Sequence, residues 1–202
     1  MKLVGIGASV TAGTPGFYSP RERPPHGEGN VESQYAYWMM RLRPHWEVLN
    51  RGMRGQRTDQ IALRFDYDVL DLHPDAVIII AGTNDLYQGY ETVWPLRHLK
   101  SMIEKARDAG IKVLAGSILP LNLAEPPLKE KIREFNRGVR ELAAETGTAF
   151  FDLYAAMEDT AMSGHIAGSP DEVHPGIDGY RRMGELLVEA VESLILPNLP
   201  ET

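Results

Sequence analysis

Ala76-Val77-Ile78-Ile79-Ile80-Ala81 is a run of six apolar residues with no polar interruption. A strand with one wet face alternates apolar and polar side chains, whereas a strand covered on both faces need not. The run is far too short to cross a bilayer. It reads as the central strand of a parallel sheet with helices packed on both sides.

The rest of the chain supports that assignment. Lys2–Gly7 is a second buried strand ending in glycine, and Glu47–Leu49, Lys112–Ser117 and Ala149–Asp152 read as three more. Helices are expected between them: Ser33–Leu42, a segment capped by Thr58 or Asp59 and running to about Leu70, Val93–Ala109 before Gly110, and Pro127–Thr146 before Gly147. In the second of these, Ile61, Leu63, Phe65 and Val69 supply the apolar material. The last helix, from about Ile177 to Leu196, carries Tyr180, Met183, Leu187, Val191 and Leu194 at three-to-four spacing. Five strands alternating with helices predict a parallel sheet covered on both faces. With no internal repeat and no linker, the chain reads as a single domain over residues 1–202.

Composition narrows the function. A net charge of −7 argues against a nucleic-acid surface or an anionic membrane as the main partner. The chain has no cysteine, which excludes disulfides, thiolate metal sites and a cysteine nucleophile. Its six histidines are dispersed and suggest no metal cluster. Nothing resembles a signal peptide, so a cytoplasmic protein is the default expectation; an exported form with its leader removed is the alternative.

Functional groups in open parallel sheets gather beyond the carboxyl ends of the strands. Ser9, Gly55 and Asn84 follow the first, second and third strands. Near the end of the chain, Asp171-Glu172-Val173-His174-Pro175 offers a histidine with an aspartate three positions before it. In a turn, that spacing lets the carboxylate reach Nδ1–H of the imidazole while Nε2 faces a nucleophile. Each piece also has an ordinary structural reading. Ser9 can cap a helix, Asp171 can close an Asx turn beside a surface histidine, Gly52 and Gly55 can be turn glycines, and Asn84-Asp85 can cap a helix. His165 is a rival base in the same loop, without an aspartate three residues before it. Four coincidences in order at strand ends favour a serine nucleophile (Ser9), a base (His174) with its orienting acid (Asp171), and oxyanion donors from the Ser9 and Gly55 N–H groups and the Asn84 amide. The segment Thr14–Glu32, about 19 residues rich in proline and glycine, is either a wall of this site or a mobile insertion.

Four blocks carry a resemblance to the SGNH hydrolases, the GDSL-type esterases and lipases: Gly7-Ala8-Ser9, Asn50 to Gly55, Gly82-Thr83-Asn84-Asp85, and Asp171-Glu172-Val173-His174-Pro175. The resemblance extends over nearly the whole chain and implies a three-layer α/β/α, flavodoxin-like fold. It implies Ser9 as nucleophile, His174 as base, Asp171 as its partner, and Gly55 and Asn84 as oxyanion donors. Gly55 is taken over Gly52 because of its distance beyond Asn50. The one departure is Ala8, where the family usually has aspartate.

The expected activity is hydrolysis of carboxylic esters, with short acyl chains preferred, through an acyl-serine intermediate. No metal or cofactor is expected, and the partner is a small-molecule ester. Thioesters or sugar acetates are alternative substrates for the same site. A non-catalytic binding domain that kept the fold is a reading of a different class.

Overall fold

The computed structural model describes residues 1–195. Strand β1 (Lys2–Gly7) leads to the short helix α1 (Ser9–Ala12), an antiparallel ribbon of β2 (Phe17–Tyr18) and β3 (Glu28–Gly29), and helix α2 (Tyr35–Leu42). Strand β4 (Glu47–Gly52) precedes α3 (Thr58–Leu63) and α4 (Phe65–Asp68), and β5 (Ala76–Ile80) precedes α5 (Thr83–Tyr87) and α6 (Val93–Asp108). Strand β6 (Lys112–Gly116), helix α7 (Pro126–Thr146), strand β7 (Ala149–Phe151) and helix α8 (Leu153–Met157) lead to α9 (Ile177–Ile195). Leu196, taken from the sequence as the end of the last helix, lies outside the described residues.

The main sheet has the order β4-β1-β5-β6-β7, and every pair in it is parallel. Helices cover both faces, giving the expected three-layer α/β/α fold. Alternation along β1 and β5 sends successive side chains to opposite layers. Val4, Ile6, Val77 and Ile79 pack with Ile61, Phe65, Met102 and Phe135 on one side. Leu3, Ile78 and Ile80 pack with Tyr35, Met39, Tyr180 and Leu187 on the other. All five side chains of β5 are buried, as its unbroken apolar run predicts. Register brings Gly7 opposite both Gly52 and Ile80. Three strands therefore end in one row, and the segments after them emerge along one edge.

Two expectations need correction. The helix predicted from Thr58 to about Leu70 breaks at Arg64 into α3 and α4, followed by a 3-10 turn over Leu70–Leu72. With Ile61 and Phe65 inward, Leu63 falls on the opposite side and is 87% exposed, so it is not core material. The second strand runs on to Gly52 rather than stopping at Leu49. Asn50 is tolerated inside it because its amide donates to Ala12 O and Gln34 Oε1, while its Oδ1 accepts from Gly52 N–H.

The Thr14–Glu32 segment is a hydrogen-bonded rim. Phe17 is buried, and the Ser19 hydroxyl donates to Gly52 O at 2.6 Å. Glu22 accepts from the N–H groups of Ser19 and Arg54, and the Arg54 guanidinium donates to Phe17 O. Among the described residues, no helix is long and apolar enough to cross a membrane.

Candidate active site

Ser9 begins α1, separated from β1 only by Ala8, and the N–H groups of Gly13 and Thr14 return to its carbonyl, closing a tight turn. His174 arrives from the other end of the chain, just before α9. Its Nε2 lies 2.8 Å from Ser9 Oγ, and its Nδ1 lies 2.8 Å from Asp171 Oδ2. With the carboxylate at Nδ1, the proton of neutral imidazole sits there, and Nε2 accepts from the Ser9 hydroxyl.

Asp171 also closes an Asx turn. Its Oδ1 accepts from Val173 N–H at 3.1 Å and His174 N–H at 2.8 Å. The turn and the contact to Nδ1 are therefore compatible, one carboxylate oxygen serving each. Burial acts to raise the Asp171 pKa, but the His174 side chain and the two backbone donors outweigh it, leaving the carboxyl below its usual value. Glu172 takes the left-handed conformation (φ 63°) at the bend, and Leu123 N–H donates to its carbonyl. Ser169 Oγ donates to His174 O at 2.8 Å. His165 is held elsewhere, with Nδ1 3.0 Å from Ser163 O and Nε2 3.3 Å from Lys129 Nζ.

Asn84 lies in the first turn of α5, beyond β5. The intervening Gly82 has φ 132°, and a Cβ there would collide with the Phe135 ring. The Asn84 amide donates one hydrogen to Gln56 O at 2.8 Å, which fixes the side chain and leaves its second N–H for an incoming oxygen. Gly55 has φ 72° and no neighbour within 4 Å of a would-be Cβ, whereas Gly52 is pressed against the Ala12 backbone. Gly55 lines an open cleft of about 330 Å³ with Ser9, Asn84, His174, Tyr87 and Leu121. A smaller recess of about 20 Å³ beside Ser9 is lined by Ala8, Ile80, Leu119 and Val173.

Asp85 does not cap its own helix. It is fully buried and accepts from the Thr58 hydroxyl at 2.6 Å and Thr58 N–H at 3.0 Å, so it caps α3 instead. Burial raises its pKa, with the Thr58 bonds acting in the opposite sense. Sequence reasoning also passed over Gln56 and Tyr87. Tyr87 is marked by its place three residues after Asn84, one helical turn along α5; Gln56, which acts through its main chain, leaves no signal in residue type.

The chain matches the GDSL-like lipase/acylhydrolase family over residues 6–182. It is 26% identical over 202 residues to an acetylxylan esterase from Geobacillus stearothermophilus, covering 89% of this chain and 88% of that one. Among solved structures, it is similar to a GDSL-like lipase from Bacteroides thetaiotaomicron VPI-5482, with a TM-score of 0.72 and 27% identity, over 95% of this chain and 88% of that one. An acetyl xylan esterase structure shares the fold with a TM-score of 0.76 at 20% identity, over 95% of this chain and all of the other.

Proposed function

The chain belongs to the GDSL-like lipase/acylhydrolase family and is a carboxylic ester hydrolase; we propose that it works through Ser9 as nucleophile, His174 as base and Asp171 as the group that orients it. The observation that carries this reading is the continuous relay from Asp171 through His174 to Ser9, with 2.8 Å at both ends of the imidazole. A surface histidine beside an Asx turn needs no serine at its other nitrogen.

In the proposed cycle, Ser9 Oγ attacks the ester carbonyl carbon as its proton passes to His174 Nε2. Negative charge develops on the carbonyl oxygen, which the N–H groups of Ser9 and Gly55 and the free N–H of the Asn84 amide stabilise. The Asp171 carboxylate supports the imidazolium. His174 then gives its proton to the leaving alcohol, and acyl-Ser9 remains. Water attacks the acyl carbon as His174 takes its proton, and collapse of the second tetrahedral species releases the acid and restores the Ser9 hydroxyl.

Two features support a short acyl group. The recess beside Ser9 has room for about one water molecule, the scale of a methyl group. The Thr14–Glu32 rim is hydrogen-bonded and polar and offers no apolar tunnel. Sugar acetates are the second reading, favoured by the acetylxylan esterase relative and by Tyr87, which lines the cleft while 62% exposed. An exposed aromatic ring at a cleft presents a flat apolar face with a polar tip, as a pyranose ring requires. The test is hydrolysis of p-nitrophenyl esters from acetate to palmitate by wild type and Ser9→Ala. Ser9-dependent turnover fastest on acetate is expected; turnover that survives Ser9→Ala sinks the serine mechanism.

A further inference from the structure

Arg64, at the break between α3 and α4, spreads its guanidinium over three separate segments of the site. Nη2 donates to Gly7 O at 3.0 Å, two residues before Ser9. Nη1 donates to Arg51 O at 2.8 Å, on the strand that leads to Gly55. Nε donates to Gln56 Oε1 at 2.7 Å, and the carbonyl of the same Gln56 accepts from Asn84. One planar cation thus touches the chain beside each of the three proposed oxyanion donors.

The cation is itself anchored. Asp68 Oδ2 lies 2.7 Å from Nη1, and Asp68 Oδ1 lies 3.1 Å from Nε of Arg21 in the rim. The Asp68 side chain is fully buried and that of Arg64 only 10% exposed. Replacing such a pair by packed apolar residues often costs a fold nothing, so stability is a weak reason for it to be present. A fork that joins two backbone carbonyls and the Gln56 side chain at fixed angles has another use, because a rigid guanidinium sets directions that a flexible ammonium cannot.

We propose that Arg64 is the positioning residue of the oxyanion hole, holding the Ser9 turn, the Gly55 turn and, through Gln56, the Asn84 amide in mutual register. It touches no substrate and acts only through these three donors. Ala8 sharpens the point. In this chain the residue beside Ser9 has no polar side chain with which to brace the turn, and Arg64 is the side chain that holds the Gly7 carbonyl, which also accepts from Met53 N–H. The inference rests on the serine-esterase reading given above.

The test is a double-mutant cycle between positions 64 and 84, read as steady-state kinetics on p-nitrophenyl acetate beside melting temperatures. Arg64→Lys keeps a charge for Asp68 but cannot reach all three acceptors. It should lower kcat roughly 10–100-fold with KM changed less than about twofold. In the Asn84→Ala background the same change should cost clearly less, because part of what Arg64 positions is already gone. Multiplicative losses, or a normal kcat in folded Arg64→Lys, overturn the proposal. If Arg64→Lys does not fold, Gln56→Leu leaves the Asp68, Gly7 and Arg51 contacts intact and should give a smaller kcat loss with the same coupling to Asn84; a normal kcat there overturns it equally. Ser9→Ala in the same panel separates the two readings. A wild type without Ser9-dependent turnover overturns both, whereas a Ser9-dependent wild type with multiplicative losses overturns this one alone.

Discussion

His174 Nε2 stands 2.8 Å from Ser9 Oγ although 165 positions separate the two residues in the chain. The contact joins the turn after β1 to the segment before α9, and neither holds it alone. Ser9→Ala and His174→Ala should each nearly abolish ester hydrolysis, and the double variant should be little worse than either, because the two act as one unit. Independent, multiplicative losses in purified folded protein count against that unit.

Asp171 allows a sharper test, since its two oxygens serve different ends. Asp171→Asn keeps an oxygen for the Asx turn but sets an N–H against Nδ1, forcing the imidazole proton onto Nε2. Its melting temperature should stay near wild type while kcat falls by roughly 10³–10⁴-fold. Asp171→Ala loses the turn and melts lower, yet leaves the tautomer free and should retain more activity. The reverse ranking in kcat would show that orientation, and not tautomer, is what Asp171 supplies.

Asn84→Ala should lower kcat by roughly 10²–10³-fold with KM nearly unchanged, as loss of one oxyanion donor does. Asn84→Asp should be worse, because it sets a negative charge where negative charge develops. Folded Asn84→Ala with a normal kcat removes Asn84 from the site.

Asp85 should make stability depend on pH in an unusual sense. Its folded-state pKa is raised, first by burial, so the stability it contributes is present below the unfolded carboxyl value, about 4, and is lost as pH rises through the folded value. Asp85→Asn keeps an acceptor for Thr58 and has nothing to titrate. Urea unfolding at several pH values from 4 to 8 should show wild type losing stability relative to Asp85→Asn as pH increases. A gain instead would reverse the sign assigned to this carboxyl.

If sugar acetates are the substrates, Tyr87→Ala should raise KM for an acetylated oligosaccharide and leave p-nitrophenyl acetate hydrolysis within about twofold, since only the former offers a ring face to stack on. Equal effects on both substrates would assign Tyr87 to the fold or the acyl side.

The legible parts of this molecule were those written in local pattern. The unbroken run Ala76–Ala81 marked the central strand because burial on both faces leaves no polar position. Ser9, Gly55, Asn84 and the Asp171–His174 pair stood out as candidates because each lies just beyond a strand or in a short turn, where spacing alone limits what a side chain can reach. Arg64 and Asp68 were not found, although they sit at i and i+4 between the core residues Ile61 and Phe65 and Val69. Buried charges there look like the wet side of a helix until the strand-end carbonyls that they bind are known. The order in the Thr14–Glu32 rim was hidden for the same reason, since its partners Gly52, Arg54 and Asp68 come much later in sequence.

Strand β1 lies between β4 and β5, so its two partners in the sheet are both made after it. On the ribosome or after dilution from urea, Leu3 must wait for Val48 and Ala76 before its backbone is paired on both sides. Closing such long intervals is slow compared with forming helices, which need only neighbours in sequence. Ser9 is therefore made before the strands that flank β1 and is equipped late, because His174 joins it only once the segment before α9 has docked. Recovered ester hydrolysis should lag behind recovered helical signal during refolding, which makes catalytic activity a report on the completed chain topology.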